Sequence, residues 1–342
     1  MIDFEALRRC YDEDRVYALQ LEIWDRCEQR CDYCYMEAGS LPHRVLDSGK
    51  ILEVLREASG LGVSRIEWLG GEPLLRPDWR RLLDASAELG IVNNMWTGGL
   101  PLARRGVAED VVEATAGGMV AFHVGTIDED VYVALHSRAH AGDLRRLLAG
   151  VENVLAAGKP PDLLLNSVTL TRGQSVSDMI RTIDFFKDTY GIDTCVNVYQ
   201  SYRPMGTGGQ SYLEEMPDRT DVGKVLQHAA ARSGRTHAIA NCVNKEYCSA
   251  TVAVTNEGLV TPCATIRPAD SPSIHERTLR QVLNEHVEDL LLLSMKRQEN
   301  LAEGCRDCGR NSECWGCRGR AWDCFDNVRG RDPACFRNPV NR

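Results

Sequence analysis

Three cysteines near the start of the chain have the spacing of an iron–sulfur site. Cys27, Cys31 and Cys34 lie in the run CEQRCDYC, directly after a strand-like segment over Tyr17–Trp24. Three thiolates can hold three irons of a cubane cluster and leave the fourth iron without a protein ligand. A substrate or cofactor can bind directly at such an open position. We therefore expect a redox enzyme, in preference to a chance grouping or a partial zinc site.

A second motif, Gly70-Gly71-Glu72-Pro73, follows the next strand-like segment, Val63–Leu69. Two glycines let a backbone pass close to a ligand, and a carboxylate can accept hydrogen bonds from an ammonium group. Taken alone, the motif is more typical of a plain structural turn.

Most of the fourteen cysteines lie after Asn241. The N-terminus, MIDFEALRRC, lacks an apolar export segment, so we expect a cytoplasmic protein. In a reducing compartment, clustered cysteines indicate metal binding. Four of the tail cysteines also have acceptable spacing for a zinc knuckle: Cys305, Cys308, Cys314 and Cys317.

The composition indicates an ordinary globular chain, with 43% hydrophobic and 26% charged residues in 342. The net charge of −9 argues against nucleic acid as a partner. The longest aliphatic run, Leu290–Leu293, is too short to span a bilayer, so we expect no membrane contact.

Short β-rich runs alternate with amphipathic helical stretches from residue 17 to about 233. The six predicted strands are Tyr17–Trp24, Val63–Leu69, Ile91–Trp96, Met119–Thr126, Leu163–Leu170 and Thr194–Gln200. The six predicted helices are Asp47–Ser59, Pro77–Leu89, Val107–Ala116, Asp143–Ala157, Ser175–Tyr190 and Arg219–Ala231. Such repeats predict an α/β fold, a parallel sheet curled into a partial (β/α)6 barrel with reactive groups at the carboxyl ends of its strands.

We place this barrel domain at residues 1–235 and a small cysteine-rich domain at 236–342. Residues 201–218 are loop-like and are expected to border the substrate opening. In the second domain, Thr251–Thr261 reads as a hairpin around Asn256-Glu257-Gly258, and Arg280–Asn300 reads as one long helix.

The cysteine trio, with Tyr33 before its third member and the Gly-Gly-Glu-Pro motif at the next strand end, resembles the radical S-adenosylmethionine (SAM) enzymes. The resemblance implies that Tyr33 borders the adenine and that Gly70, Gly71 and Glu72 bind the methionine amino group. It also implies SAM contacts from Thr126, in Thr126-Ile127-Asp128, and from Arg138. Glu129 departs from this pattern, because it replaces a glycine.

The tail cysteines resemble the SPASM domain that follows the barrel in one radical SAM subgroup, with one residue fewer before Cys317. The resemblance implies three [4Fe–4S] clusters, one that binds SAM and two auxiliary clusters. It implies that one auxiliary cluster is held by Cys242, Cys248, Cys263 and Cys317, the first cysteine set. It implies that the other is held by Cys305, Cys308, Cys314 and Cys335, the second cysteine set. Cys324 is an alternative to Cys317.

The resemblance further implies reductive cleavage of SAM, hydrogen abstraction from an unactivated C–H bond and a net two-electron oxidation. Flavodoxin or ferredoxin would be the reductant. We expect a small polar metabolite, such as a sugar or an aminocyclitol, as the substrate. The alternatives are a peptide or protein maturase, a heme-precursor decarboxylase, an epimerase and a non-enzymatic iron–sulfur carrier. Candidate catalytic groups are Cys324, as a hydrogen donor, and His123 and Glu67, in proton transfer.

Overall fold

Eight strands form one open sheet in the computed structural model, which describes residues 2–36, 38, 44–199, 216–235 and 237–337. The strands are Ala18–Glu22 (β1), Arg65–Leu69 (β2), Val92–Thr97 (β3), Val120–Phe122 (β4), Leu164–Leu170 (β5), Asp193–Val198 (β6), Thr251–Val254 (β7) and Val260–Thr261 (β8). Their spatial order is β6-β5-β4-β3-β2-β1-β7-β8, and all neighbours are parallel except β7 and β8. The predicted partial barrel of six parallel strands is confirmed.

Eleven α-helices lie within the described part of the chain. They are Phe4–Asp12 (α1), Ser48–Gly60 (α2), Trp79–Glu88 (α3), Arg105–Ala114 (α4), Glu129–Leu135 (α5), Asp143–Ala156 (α6), Val176–Tyr190 (α7), Arg219–Arg232 (α8), Lys245–Ser249 (α9), Leu279–Leu290 (α10) and Arg318–Phe325 (α11). None of these helices has the length and apolar character that a membrane span requires.

The helices cover one face of the sheet. Leu21 of β1, Trp68 of β2 and Phe122 of β4 pack there against apolar residues of α2, α3 and α6, and all three are essentially inaccessible to solvent. Because side chains alternate along a strand, their neighbours point to the opposite, inner face of the curled sheet.

The inner face is polar and partly open. Along β6, Cys195 and Asn197 on the inner side are half-buried, whereas Val196 and Val198 on the helix side are buried. Trp96 and His123 are likewise half-buried on the inner side of the sheet. The inner face therefore presents partly exposed hydrogen-bonding groups.

The hairpin predicted over Thr251–Thr261 is present as β7 and β8, and β7 also pairs with β1 in register Ala18 to Thr251. The sheet thus continues past the domain boundary drawn at 235/236, and that boundary stays a prediction. The loop predicted over 201–218 and the end of the sixth strand at Gln200 fall largely on 200–215, outside the described residues.

The single long helix predicted over Arg280–Asn300 is wrong. Helix α10 ends at Leu290, and the chain continues in two short 3-10 turns. Leu292 has a φ of +52°, a left-handed conformation that an α-helix does not continue through. The apolar periodicity of Arg280–Asn300 does not indicate this break.

Candidate active site and metal centres

The segment that carries Cys27, Cys31 and Cys34 leaves the carboxyl end of β1 and is held by backbone hydrogen bonds. The amide of Asp32 donates to Leu135 O at 3.1 Å, and Cys34 N donates to Cys31 O at 3.1 Å. The three thiols are half-buried and close enough to influence one another electrostatically.

Burial sets the chemistry of these thiols. Burial, with a contribution from the carboxyl group of Glu72, raises the pKa of Cys27 to about 12. Burial, then the neighbouring Cys34 and Cys27, also raises the pKa of Cys31 well above its usual value. Such thiols ionise when a cation is bound among them, because metal binding releases protons from its ligands.

The two glycines of the Gly-Gly-Glu-Pro motif fit this segment closely. A Cβ on Gly70, whose φ is +149°, would lie 2.5 Å from Trp24 O, and one on Gly71 would lie 2.4 Å from Arg26 O. Gly71 N donates to Trp24 O at 2.7 Å. Glycine is therefore required here because two backbones meet, and this contact fixes the approach to the cysteine segment.

Glu72 is a buried carboxyl group with several donors. Thr97 Oγ1 donates to it at 2.8 Å, Gly98 N at 2.7 Å and Leu74 N at 3.0 Å. Burial, with a contribution from Glu28, raises its pKa to about 8. A nearby ammonium group would restore the carboxylate, which suits the role predicted for Glu72.

Tyr33 lies between two histidines. Its hydroxyl is 2.5 Å from His123 Nε2 and 3.0 Å from His136 Nε2. The Nδ1 atoms of these rings lie against the carbonyls of Ser167 and Tyr132, so each Nδ1 is the donor and each Nε2 of a neutral ring is an acceptor. Burial lowers the pKa of both histidines, that of His123 to about 4. His123 therefore holds Tyr33, and its predicted role in proton transfer stays a prediction.

Thr126 and Arg138, the two other predicted SAM contacts, differ in the exposure of their side chains. Thr126 is fully buried, and its hydroxyl donates to Asp178 at 2.9 Å and accepts from Asp128 N at 3.0 Å. Arg138 has an exposed side chain, while its amide donates to Gln29 O at 3.3 Å. Both contacts stay predictions, and the geometry of Thr126 favours a supporting role.

Glu67 points to the inner face of β2 and is 3% exposed. Its carboxylate accepts from Asn94 Nδ2 at 2.8 Å, Trp96 Nε1 at 2.5 Å and Tyr247 OH at 2.5 Å. Tyr247 belongs to α9, so this group joins the barrel to the C-terminal region. Three donors satisfy the Glu67 carboxylate, and its predicted role in proton transfer stays a prediction.

The tail cysteines form two neighbourhoods. Burial raises the pKa of Cys242 well above its usual value, and Cys317, Cys195, Cys248 and Cys263 raise it further. These neighbours include the rest of the first cysteine set.

Burial also raises the pKa of Cys305, and Cys335 and Cys308 add to this rise. Cys335 contributes in the same way at Cys314, whose pKa rises to about 11, so the second cysteine set is gathered as well. Among the described residues, no three Cys, His, Asp or Glu side chains are arranged to hold a single metal ion.

The remaining cysteines have other surroundings. Cys324 on α11 packs against an apolar cluster that includes Met179 and Ala334, and its predicted role as a hydrogen donor stays a prediction. Cys195 lies on the inner face of β6, with its Sγ 3.7 Å from Cys242 O. The alternation of side chains along β6 does not by itself show that Cys195 lies beside the first cysteine set.

Residues 21–186 match the Radical SAM superfamily. The PqqA peptide cyclase of Ruegeria pomeroyi is 27% identical over 340 residues, which cover 94% of this chain and 87% of that protein. Residues 21–186 form a radical SAM domain. SAM and a [4Fe–4S] cluster are accordingly its cofactors, and the prediction of an enzyme of this kind is confirmed.

Other similar proteins extend the comparison. The probable GTP 3',8-cyclase of Methanosarcina acetivorans is 26% identical over 296 residues, covering 78% of this radical SAM chain and 85% of that protein. The structure of Streptococcus suis SuiB bound to SAM has a TM-score of 0.69 and 18% identity, covering 97% of this chain and 80% of SuiB. SuiB has also been solved with the precursor peptide SuiA, with a TM-score of 0.64.

The expected substrate, a small polar metabolite, is wrong. Curated relatives that cover 94% of this radical SAM chain are PqqA peptide cyclases, and the solved fold of SuiB accommodates a precursor peptide. The altered motif Thr126 to Glu129 does not decide the substrate class, because the Thr126 side chain is fully buried.

Proposed function

We propose that this protein modifies a peptide by a net two-electron oxidation, which forms a cross-link or a dehydrogenated side chain. The observation that carries this proposal is the similarity to PqqA peptide cyclases along 94% of the chain. The polar, partly exposed inner face of the sheet supports it, because it offers hydrogen-bonding groups to a bound peptide.

We infer three [4Fe–4S] clusters. Cys27, Cys31 and Cys34 would hold the cluster that binds SAM, and the first and second cysteine sets would each hold one more. The donor chemistry fits, because each of these two sets offers the four thiols that a [4Fe–4S] cluster requires. Flavodoxin or ferredoxin would supply electrons, in the cytoplasm.

When SAM and its cluster are bound, they supply reductive cleavage of SAM to a carbon radical that removes hydrogen from a C–H bond. The residues of the chain bind and orient. Glu72 would accept hydrogen bonds from the SAM ammonium group, and Tyr33 would border the adenine, beside Gly70, Gly71, Thr126 and Arg138. Trp96, whose indole N–H is fixed by Glu67, offers the peptide a rigid wall on the inner face.

Metal analysis tests the cluster count. Anaerobically reconstituted protein should contain about 12 iron and about 12 sulfide per chain and no zinc. A variant with Cys27→Ala, Cys31→Ala and Cys34→Ala should retain about 8 of each. About 4 iron with one zinc in the unaltered protein would contradict the auxiliary clusters.

Substrate class is tested separately, with 5′-deoxyadenosine release as the signal. The reduced protein is incubated with SAM and, in parallel, with a peptide library, a panel of nucleoside triphosphates and a panel of aminocyclitols. A peptide should increase the release and emerge lighter by two hydrogens. An increase with nucleotides or aminocyclitols alone would overturn the peptide proposal.

A further inference from the structure

A buried ion pair lies between the two cysteine sets. Arg320 and Asp332 are both buried, and the guanidinium donates from Nε at 2.8 Å and from Nη2 at 2.7 Å to the two carboxylate oxygens. The same guanidinium donates to Val198 O, at the end of β6, and to Ala240 O, before Cys242. The pair therefore joins the barrel to the cysteine-rich region.

Both charges lie beside the first cysteine set. The backbone amide of Arg320 donates to Cys317 Sγ at 3.5 Å, and its guanidinium donates to Ala240 O, two residues before Cys242. Asp332 Oδ2 accepts from Cys317 N at 2.8 Å. The pair therefore places a positive and a negative charge next to this set, and removal of either one leaves the other uncompensated.

A side-chain amide adds to this arrangement. Asn241 Nδ2 donates to Cys248 Sγ at 3.1 Å, while Asn241 Oδ1 accepts from Cys242 N at 2.9 Å. The second bond fixes which end of the amide faces the sulfur. Asn241 is 6% exposed, so water does not compete effectively for this donor.

A cluster held by four thiolates is anionic and gains one more negative charge on reduction. Positive charge near the cluster and hydrogen bonds to its sulfurs both stabilise the reduced form and raise the reduction potential. The first cysteine set has both, from Arg320 and Asn241. It also lies next to the inner face, through the contact of Cys195 with Cys242.

We propose that Arg320 and Asn241 raise the reduction potential of the first auxiliary cluster, so that it accepts the electron given up by the substrate radical. The step transfers one electron: the radical is oxidised and the [4Fe–4S] cluster is reduced. This inference rests on the proposed function for its role in turnover. The potentials themselves are measurable without a substrate.

The test uses the full chain with Cys27→Ala, Cys31→Ala and Cys34→Ala, so that only auxiliary clusters titrate. Redox titration followed by electron paramagnetic resonance then compares three further variants. Asn241→Leu and Arg320→Gln should each lower the equilibrium constant for reduction of one cluster about tenfold, which is about 59 mV for one electron. Asp332→Asn removes the opposing charge and should shift the potential in the opposite direction.

Asn93→Leu is the matched control. Asn93 is 2% exposed, but its amide donates to the carbonyls of Leu83 and Ala114 and not to sulfur. It should leave the potentials unchanged. If Arg320→Gln loses iron, Asn241→Leu and Asp332→Asn still decide the question, since a merely structural role predicts no opposite shifts. Unchanged potentials in iron-replete variants would overturn the proposal, whereas shifted potentials without peptide oxidation would overturn only the proposed function.

Discussion

The cysteine segment after β1 and the cysteine-rich tail position their thiols by different means. In the first region, Cys27, Cys31 and Cys34 lie within eight residues, and backbone contacts with Gly70 and Gly71 hold their segment. In the tail, the first cysteine set extends from Cys242 to Cys317 and the second from Cys305 to Cys335, and buried side chains bind the carbonyls around them. Arg318, for example, donates to the carbonyls of Trp315, Gly316, Val328 and Gly330. Backbone contacts at the end of the sheet hold the first region, whereas hydrogen bonds from buried charged side chains hold the tail.

The largest expected effect is at the backbone contact. Gly71→Ala would place a Cβ 2.4 Å from Arg26 O, where neither backbone can yield cheaply. We expect the SAM cluster to be lost, with iron falling from about 12 to about 8 per chain, and no release of 5′-deoxyadenosine.

Gly106→Ala in α4 is the control for Gly71→Ala, because a Cβ at Gly106 meets nothing within 4 Å. It should retain the full iron content. Equal iron in the two variants would show that the segment tolerates displacement and that the contrast between the regions is mistaken.

The second-largest effect is expected when all clusters are removed, because the two regions should then differ in hydrogen-exchange protection. Metal ligands gathered from distant positions contribute binding energy directly to folding. We expect amides of residues 237–337 to lose hydrogen-exchange protection in the apoprotein, while those of β2 to β5 keep most of theirs. Uniform loss across both regions, measured by mass spectrometry, would mean that the barrel depends on its cluster as much as the tail does.

A smaller effect is expected from Thr97→Val. The Thr97 hydroxyl stabilises the Glu72 carboxylate, so its loss should raise a pKa that is already about 8. Fewer chains then carry the carboxylate at pH 7, and SAM affinity should fall about tenfold, the equivalent of about 1.4 kcal/mol for one hydrogen bond.

The pH dependence sharpens the Thr97→Val prediction. In the unaltered protein, SAM affinity should increase as the pH rises through about 8, because the carboxylate forms over that range. The deficit of the variant should shrink at higher pH. Thr182→Val, which removes a buried hydroxyl bonded to Asp178 O, is the control and should bind SAM normally.

The smallest effect is expected at Tyr33→Phe. The hydroxyl has one hydrogen to share between His123 and His136, so the variant loses one donated hydrogen bond, about 1 kcal/mol. Iron should dissociate a few-fold faster from the SAM site, measured by chelator-induced bleaching, with no change at the tail. Bleaching at the unaltered rate would mean that backbone contacts alone hold the segment.

The barrel was predictable from sequence because its strands are buried runs between amphipathic helices. Helix α5 was missed, since seven residues are too few to show a full apolar period. Leu292 was missed because a leucine in the left-handed region has no sequence signal. The grouping of the tail cysteines followed from the family resemblance. The contact of Arg320 with Asp332 joins a helix to a loop, and neither spacing nor periodicity specifies it.

The pairing of β1 with β7 has a consequence for synthesis of the chain. Ala18–Leu21 and Thr251–Val254 are neighbours in space but far apart in the sequence. On the ribosome, β1 can pair with β2 early, yet its other edge has no partner until β7 emerges. An unpaired strand edge is a template for aggregation. The strand that leads into the cysteine segment therefore keeps one edge unpaired until Val254, in a chain of 342 residues, has been made.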